Sequence, residues 1–197
     1  MYKAYGKRVF DLLTSLLTIP LVVIILCIIA PQVYLCDKGP VLYRAKRVGQ
    51  NGRLFTMYKI RTMRVNAPDV RNADGSSFNS EWDPRVTKIG RILRMLSIDE
   101  LPQFINVLLG DMSIIGPRPI LELNDKLATD LSIIKRLSVR PGITGYSQAY
   151  YRNSATQEEK FIHDCFYIDN LSFCLDVKIF LTTMYSVFCR KCINAKG

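Results

Sequence analysis

Apolar residues are unevenly spread along this chain. LLTSLLTIPLVVIILCIIAP, residues 12–31, carries no charge. About 20 such residues in a helix span a hydrocarbon core of roughly 30 Å. Pro20 lies near the middle; it has no N–H and its ring crowds the carbonyl of Leu16, which predicts a helix that kinks or breaks there. The hydroxyls of Thr14, Ser15 and Thr18 are local groups able to repair the freed backbone in lipid. Residues 41–63, VLYRAKRVGQNGRLFTMYKIRTM, place two β-prone runs around Gln50-Asn51-Gly52 and predict a hairpin. Residues 64–84 are polar and aperiodic, the pattern of disorder or of a mobile lid, with Trp82 as a packing anchor. In DPRVTKIGRILRMLS, residues 83–97, Val86, Ile89, Leu93 and Leu96 recur at helical spacing beside a basic face of Arg85, Lys88, Arg91 and Arg94. Asp83-Pro84 reads as the N-cap and first residue of that helix. KIFLTTMYSVFCRKCI, residues 178–193, suits either an interfacial helix or a core helix with a basic tail.

Charge changes the picture of the apolar run. Lys3, Lys7 and Arg8 precede it, and Lys38, Arg44, Lys46 and Arg47 follow. Basic flanks prefer the cytoplasm. A single kinked span puts one flank outside, whereas a re-entrant helix–break–helix keeps both inside and is the expectation adopted. A signal peptide fits poorly, because the run is long and no clear small-residue cleavage site follows.

The whole chain of 197 residues has a net charge of +10, which implies a polyanionic partner: nucleic acid, an anionic membrane or a phosphorylated substrate. The six cysteines form no dense framework and read as reduced thiols facing the cytosol. Cys189 and Cys192 form a lone CxxC without a second pair or a nearby histidine, so no zinc site is expected. His163 is the only histidine, which excludes chemistry built on two or more, and no GxxxxGK[ST] phosphate loop occurs.

Candidate chemistry concentrates in SIDELPQFINVLLGDMSIIGPRP, residues 97–119. Ser97 to Glu100 fits a capping box, which would make both carboxylates structural. Pro102 opposes that, since it would fall inside the helix; a start nearer Pro102 leaves Asp99 and Glu100 at the helix mouth. Nearby arginines and the helix field would lower the pKa of an aspartate there. An ionised aspartate is a competent nucleophile toward phosphorus once a divalent metal and an arginine offset its repulsion from an anionic substrate. Arg118, between Pro117 and Pro119, is pre-stiffened for gripping phosphate, or simply ends the segment. Arg140-Pro141-Gly142 suggests a tight turn, and Gly145 permits close backbone approach. Lys59 and Arg61 either face a bound anion or decorate a basic surface hairpin.

DPRVTKIGRILRMLSIDELPQFINVLLGDMSIIGPRP followed by VRPGITG closely resembles the bacterial sugar transferases, the monotopic phosphoglycosyl transferases. The resemblance runs from about Tyr5 to Tyr185. It implies transfer of a sugar 1-phosphate from a UDP-sugar to undecaprenyl phosphate with Mg²⁺, at the cytoplasmic face of the bacterial inner membrane. It further implies that Asp99 attacks the β-phosphorus, expels UMP and forms a covalent phosphosugar–aspartyl enzyme, which the polyprenyl phosphate then attacks in ping-pong fashion. By the same resemblance, Asp99 also touches the metal, Glu100 helps hold or activate the second substrate or the metal, and Arg118 grips a phosphate. Lys59, Arg94 and Asp176 match family positions, and Arg140 is taken with them as substrate-binding. The family breaks its membrane helix at Ser-Pro; here Ile19-Pro20 stands instead, with Thr18 as the substitute hydroxyl. Larger members carry further N-terminal membrane helices, so this chain looks like a minimal catalytic unit.

The expected fold is therefore α+β, mostly α. An N-terminal re-entrant membrane helix over residues 1–36 leads into a compact helical catalytic domain over 37–197. That domain carries a small β-hairpin, a mobile loop at 64–84 and interfacial amphipathic helices. Membrane lipid and downstream glycosyltransferases are the expected partners, and nucleic acid is not. A membrane-tethered nucleic-acid binder would leave Asp99 and Glu100 unexplained, because carboxylates repel phosphate backbones. A catalytically silent scaffold for glycosylation enzymes is the other rival. Nothing in the sequence chooses the sugar among diacetylbacillosamine, N-acetylhexosamines, galactose and glucose, although the small size leans toward the bacillosamine type.

Overall fold

The computed structural model describes residues 2–71, 78, 80, 82–121, 130–151 and 155–188. A short π-turn, Tyr2–Gly6, leads into helix α1, Lys7–Asp37. The helix is continuous through Pro20 and Pro31. Of the kink or break expected at Pro20, the break is thus corrected: a proline removes one bond of the ladder without ending the helix. Thr18 Oγ1 donates to the carbonyl of Thr14 at 2.7 Å, which reinforces the turn before the proline rather than repairing the freed Leu16 carbonyl. Leu16, Leu17, Leu21, Ile24 and Ile28 are exposed, and only 17% of the most apolar 18-residue window is buried. A helix this apolar and this exposed suggests membrane association.

Both ends of α1 are fastened to the rest of the chain. Near the N-terminus, Arg8 donates from Nη1 and Nη2 to the carbonyls of Val107 and Leu108 at 2.6 and 3.1 Å. Buried Asp11 accepts from Ser113 Oγ and the Ile114 N–H, both at 3.0 Å. Near the C-terminus, Arg61 donates from Nη1 to Asp37 at 2.9 Å and from Nη2 to the Val33 carbonyl at 3.1 Å. Val33 also packs with Ile60 and Leu93 in a small apolar cluster.

The hairpin forms as the alternation predicts. Strand β1, Leu42–Val48, pairs antiparallel with β2, Leu54–Ile60, in the register Val48↔Leu54 to Leu42↔Ile60. Asn51 and Gly52 turn the chain with φ of 55° and 74°. Helix α2, Lys88–Met95, starts later than its apolar spacing suggested, because Thr87 is the N-cap, its side chain accepting from the Gly90 N–H. Asp83 instead takes Arg85 in a two-pronged ion pair. Trp82 is no buried anchor; it is exposed, with the Arg91 guanidinium 5.3 Å over its ring. Residues 72–77, 79 and 81 of the expected mobile loop lie outside the described residues.

A 3-10 turn, Ile98–Glu100, precedes helix α3, Gln103–Leu109. Strand β3, Ser113–Ile115, runs parallel to β4, Gly142–Thr144, with helix α4, Leu131–Leu137, in the intervening chain. RPGITG is thus a strand rather than the tight turn expected at Pro141-Gly142. A Cβ on Gly142 would lie 2.2 Å from the Gly116 nitrogen, so only glycine lets these strands close. Helices α5, Tyr146–Tyr150, α6, Gln157–Asp169, and α7, Phe173–Phe188, complete the described chain. Val107, Met112, Ile114, Ile115, Tyr167 and Ile179 form the main core, which joins α3, β3, α6 and α7. The tail of the expected interfacial helix, from residue 189 on, lies outside the described residues.

Candidate active site

Asp99 and Glu100 sit on the 3-10 turn, with α3 beginning just beyond Pro102. Ser97 adopts φ 56° and makes no capping bond, so the capping-box reading fails. The left-handed residue instead turns the chain sharply from α2 into the carboxylates. Asp99 is buried, and the Glu100 side chain is about a quarter exposed.

Lys59, at the end of β2, donates from Nζ to Glu100 Oε1 at 2.5 Å. Its placement depends on Asn106 of α3, fully buried, whose Oδ1 accepts from the Tyr58 N–H at 3.0 Å. Asn106 Nδ2 donates to the Thr56 carbonyl at 2.7 Å, so one side chain clamps β2 onto the helix that follows the carboxylates. Arg94 enters from α2, and its Nε donates to Thr62 Oγ1 at 2.9 Å. Arg118 is exposed, and its charge acts on Glu100. Three cations thus surround two carboxylates, leaving a surplus of positive charge for an anion.

The two acids are driven apart. Burial, then the adjacent Glu100 charge, pushes the Asp99 pKa up to about 6, against the pull of Lys59 and Arg94. Burial also opposes ionisation of Glu100, but Lys59 and Arg118 outweigh it and hold its pKa below the usual value. The expectation that arginines and the helix field depress Asp99 is therefore corrected: desolvation wins. Above neutrality Asp99 is still mostly ionised, with Lys59 and Arg94 acting on its charge. Glu100 is paired with Lys59.

Two expected site residues stand elsewhere. Arg140 donates from Nε to the Gly110 carbonyl at 2.8 Å, capping the C-terminal end of α3, opposite the end that Asp99 and Glu100 precede. Asp176 is fully buried and accepts from Tyr2 Oη at 2.6 Å, Lys7 Nζ at 2.7 Å and Tyr167 Oη at 2.7 Å. It ties the start of α1 to α6 and α7. Thr62, Gln103 and Asn106 went unnoticed in the sequence. Gln103 and Asn106 are polar positions on the buried side of a short helix, and that was the available signal.

Among the described residues no group of three His, Cys, Asp or Glu side chains converges to form a closed metal site. Two adjacent carboxylates nonetheless fit Mg²⁺, which takes one or two from protein and fills its octahedron with phosphate oxygens and water.

A family model described as bacterial sugar transferase matches residues 2–190. The chain belongs to this family. It is 42% identical to the uncharacterized sugar transferase EpsL of Bacillus subtilis over 181 residues, 92% of this chain and 86% of EpsL. It is 39% identical over 189 residues to the UDP-N-acetylgalactosamine-undecaprenyl-phosphate N-acetylgalactosaminephosphotransferase of Aeromonas hydrophila. It is 38% identical over 192 residues to the UDP-glucose:undecaprenyl-phosphate glucose-1-phosphate transferase of Escherichia coli. These two matches cover 93% and 94% of this chain but only 44% and 40% of the relatives, so the chain spans well under half the length of those two proteins.

Proposed function

We propose that this sugar transferase moves a sugar 1-phosphate from a UDP-sugar to undecaprenyl phosphate at the cytoplasmic face of the inner membrane. The buried Asp99 beside the Lys59–Glu100 pair is the observation that carries this reading. An Asp99 carboxylate oxygen attacks the β-phosphorus of the donor. The bond from that phosphorus to the bridging oxygen breaks, and UMP leaves with the electron pair. The sugar phosphate is then held on Asp99 as an acyl phosphate. An oxygen of the polyprenyl phosphate attacks the same phosphorus, and Asp99 regains its carboxylate. Arg118 and Arg94 neutralise charge building on the phosphoryl oxygens. Glu100, fixed by Lys59, orients the acceptor phosphate. Mg²⁺ bound by Asp99 and Glu100 would shield the donor's phosphates.

The acceptor's lipid tail requires a site at the membrane boundary. The exposed apolar flank of α1 supports such a position, and so does the fastening of both its ends to one domain. Arg8 and Asp37 cannot lie on opposite sides of a bilayer while both bind that domain. Re-entry from a single face, with the apolar middle dipping into lipid, is the topology this favours. Exposed Leu181, Met184 and Tyr185 on α7 favour an interfacial setting for that helix too.

The test is UMP release in detergent with Mg²⁺ across a panel of UDP-sugars. At least one sugar should support release, and Asp99→Asn should abolish it. Turnover by Asp99→Asn at the wild-type rate would overturn the assignment.

A further inference from the structure

The segment that presents Arg118 is held at successive backbone points. The Gly116 N–H donates to the Thr144 carbonyl at 2.9 Å, the Pro117 carbonyl accepts from the Gly142 N–H at 2.9 Å, and the Ile120 carbonyl accepts from the Val48 N–H at 3.0 Å. These three bonds are main chain to main chain. The Arg118 carbonyl differs: it accepts from Arg136 Nη2 of α4 at 3.0 Å. Arg136 is itself buried, and its Nε donates to Asp164 of α6 at 2.9 Å. The side chains of this pair are 6% and 3% exposed. The centroid of the Phe161 ring lies 4.5 Å from the guanidinium carbon, with the ring over one face.

This is a costly way to satisfy one carbonyl. A buried ion pair loses hydration that its mutual attraction barely repays, and an apolar pair of the same volume is often as stable. A neutral amide would serve the carbonyl alone. The planar guanidinium does something an amide cannot: its rigid fork fixes two partners in one plane, with rotation blocked by the carboxylate on one edge and the ring on its face. We propose that Arg136 and Asp164 are positioning residues, which fix the Arg118 backbone so that its exposed guanidinium stays aimed at the phosphoryl group beside Glu100. Pro117 and Pro119 restrict the torsions on either side. Arg136 anchors the one residue between them, so α4 and α6 act on the site without touching substrate. The inference rests on the reading of Arg118 as a phosphate grip.

Arg136→Lys keeps a charge for Asp164 but cannot hold both partners in one plane, and Arg136→Met removes both contacts. Amide exchange of the peptide spanning 113–121 reads the anchor directly, whether or not a UDP-sugar is turned over. In Arg136→Lys its exchange should accelerate at least fivefold, with peptides of β2 and α3 unchanged; an unchanged rate overturns the proposal. A double-mutant cycle on donor kcat/KM reads the consequence. Arg136→Lys should lower it about tenfold, with kcat falling as well as KM rising. On an Arg118→Ala background the same change should cost less than twofold. Losses that multiply in the double variant would mean Arg136 acts through general stability, and would overturn the proposal. Should Arg136→Met fail to fold, Arg136→Lys carries both tests. Failure of the wild-type protein to release UMP would count against the proposed reaction, whereas the exchange result stands on its own.

Discussion

Gly90→Ala probes how Arg94 is held. Gly90 lies in the first turn of α2, and a Cβ built there falls 2.0 Å from the Thr62 carbonyl oxygen and 2.7 Å from its carbon. Ordinary contact starts near 3.4 Å, so α2 must retreat from the end of the hairpin by about 1.4 Å. The same carbonyl accepts from the Thr87 N–H at 3.0 Å, and Thr62 Oγ1 accepts from Arg94 Nε, so one shift loosens the helix start and the arginine together. Alanine gains about 1 kcal/mol of helix propensity over glycine. Overpacking against backbone typically costs about 1–3 kcal/mol, and this contact, against a carbonyl that cannot rotate away, belongs at the upper end. A net loss of about 1–2 kcal/mol follows, or a Tm lower by roughly 2–8 °C at this chain length. Misplacing a charged group by about 1 Å costs up to about 10²-fold in rate. UMP release should therefore fall at least tenfold, beyond what lost folded protein explains. The assays are thermal unfolding in detergent and UMP release at saturating donor. A Gly90→Ala protein with wild-type Tm and turnover would refute the reasoning that α2 and Thr62 fix Arg94 by close backbone contact.

Asp176→Asn strips the charge that balances Lys7 and holds Tyr2 and Tyr167; breaking a buried pair from one side costs about 3 kcal/mol. Denaturant midpoint should drop while donor KM stays within twofold; a KM many times higher with unchanged stability would return Asp176 to the substrate. For Arg136→Met the expected signature is pH-dependent. Burial pushes Asp164 up to about 6 against the pull of Arg136, so the folded state holds an extra proton between the unfolded carboxylate value and 6, and this group's contribution falls as pH rises through that window. Without Arg136 the folded pKa climbs further and the penalty extends upward, so the Tm deficit relative to wild type should be smaller at pH 5.5 than at pH 8. A deficit independent of pH would contradict the pairing.

Local elements were legible where one residue type dictates geometry. Asn51-Gly52 set the hairpin because both positions need positive φ. Pro102 set the start of α3 because a proline loses no ladder bond at a helix entry. The apolar run was legible as a lipid-facing helix, but its continuity through Pro20 was not, since a proline signals a lost hydrogen bond and says nothing of how the chain absorbs it. The Asp99–Glu100 pair and its partners Lys59, Arg94 and Arg118 were visible as residue types. The direction of the Asp99 shift was not, because neighbouring cations can be counted in a sequence and burial cannot. Arg140 and Asp176 carry the same difficulty: a charge near a turn or on an apolar helix reads alike whether it meets a ligand or a carbonyl of the fold. Arg136 and Asp164 lie 28 residues apart, and only the packing of α4 on α6 reveals their bond.

Intact-mass measurement, after the protein is incubated with a UDP-sugar and Mg²⁺ but no polyprenyl phosphate, tests the central claim most directly. The wild-type protein should gain the mass of one sugar phosphate, with the label on the peptide containing Asp99. It should lose that mass when undecaprenyl phosphate is added. No gain with a sugar that supports full turnover, or a label on any other side chain, would contradict the account.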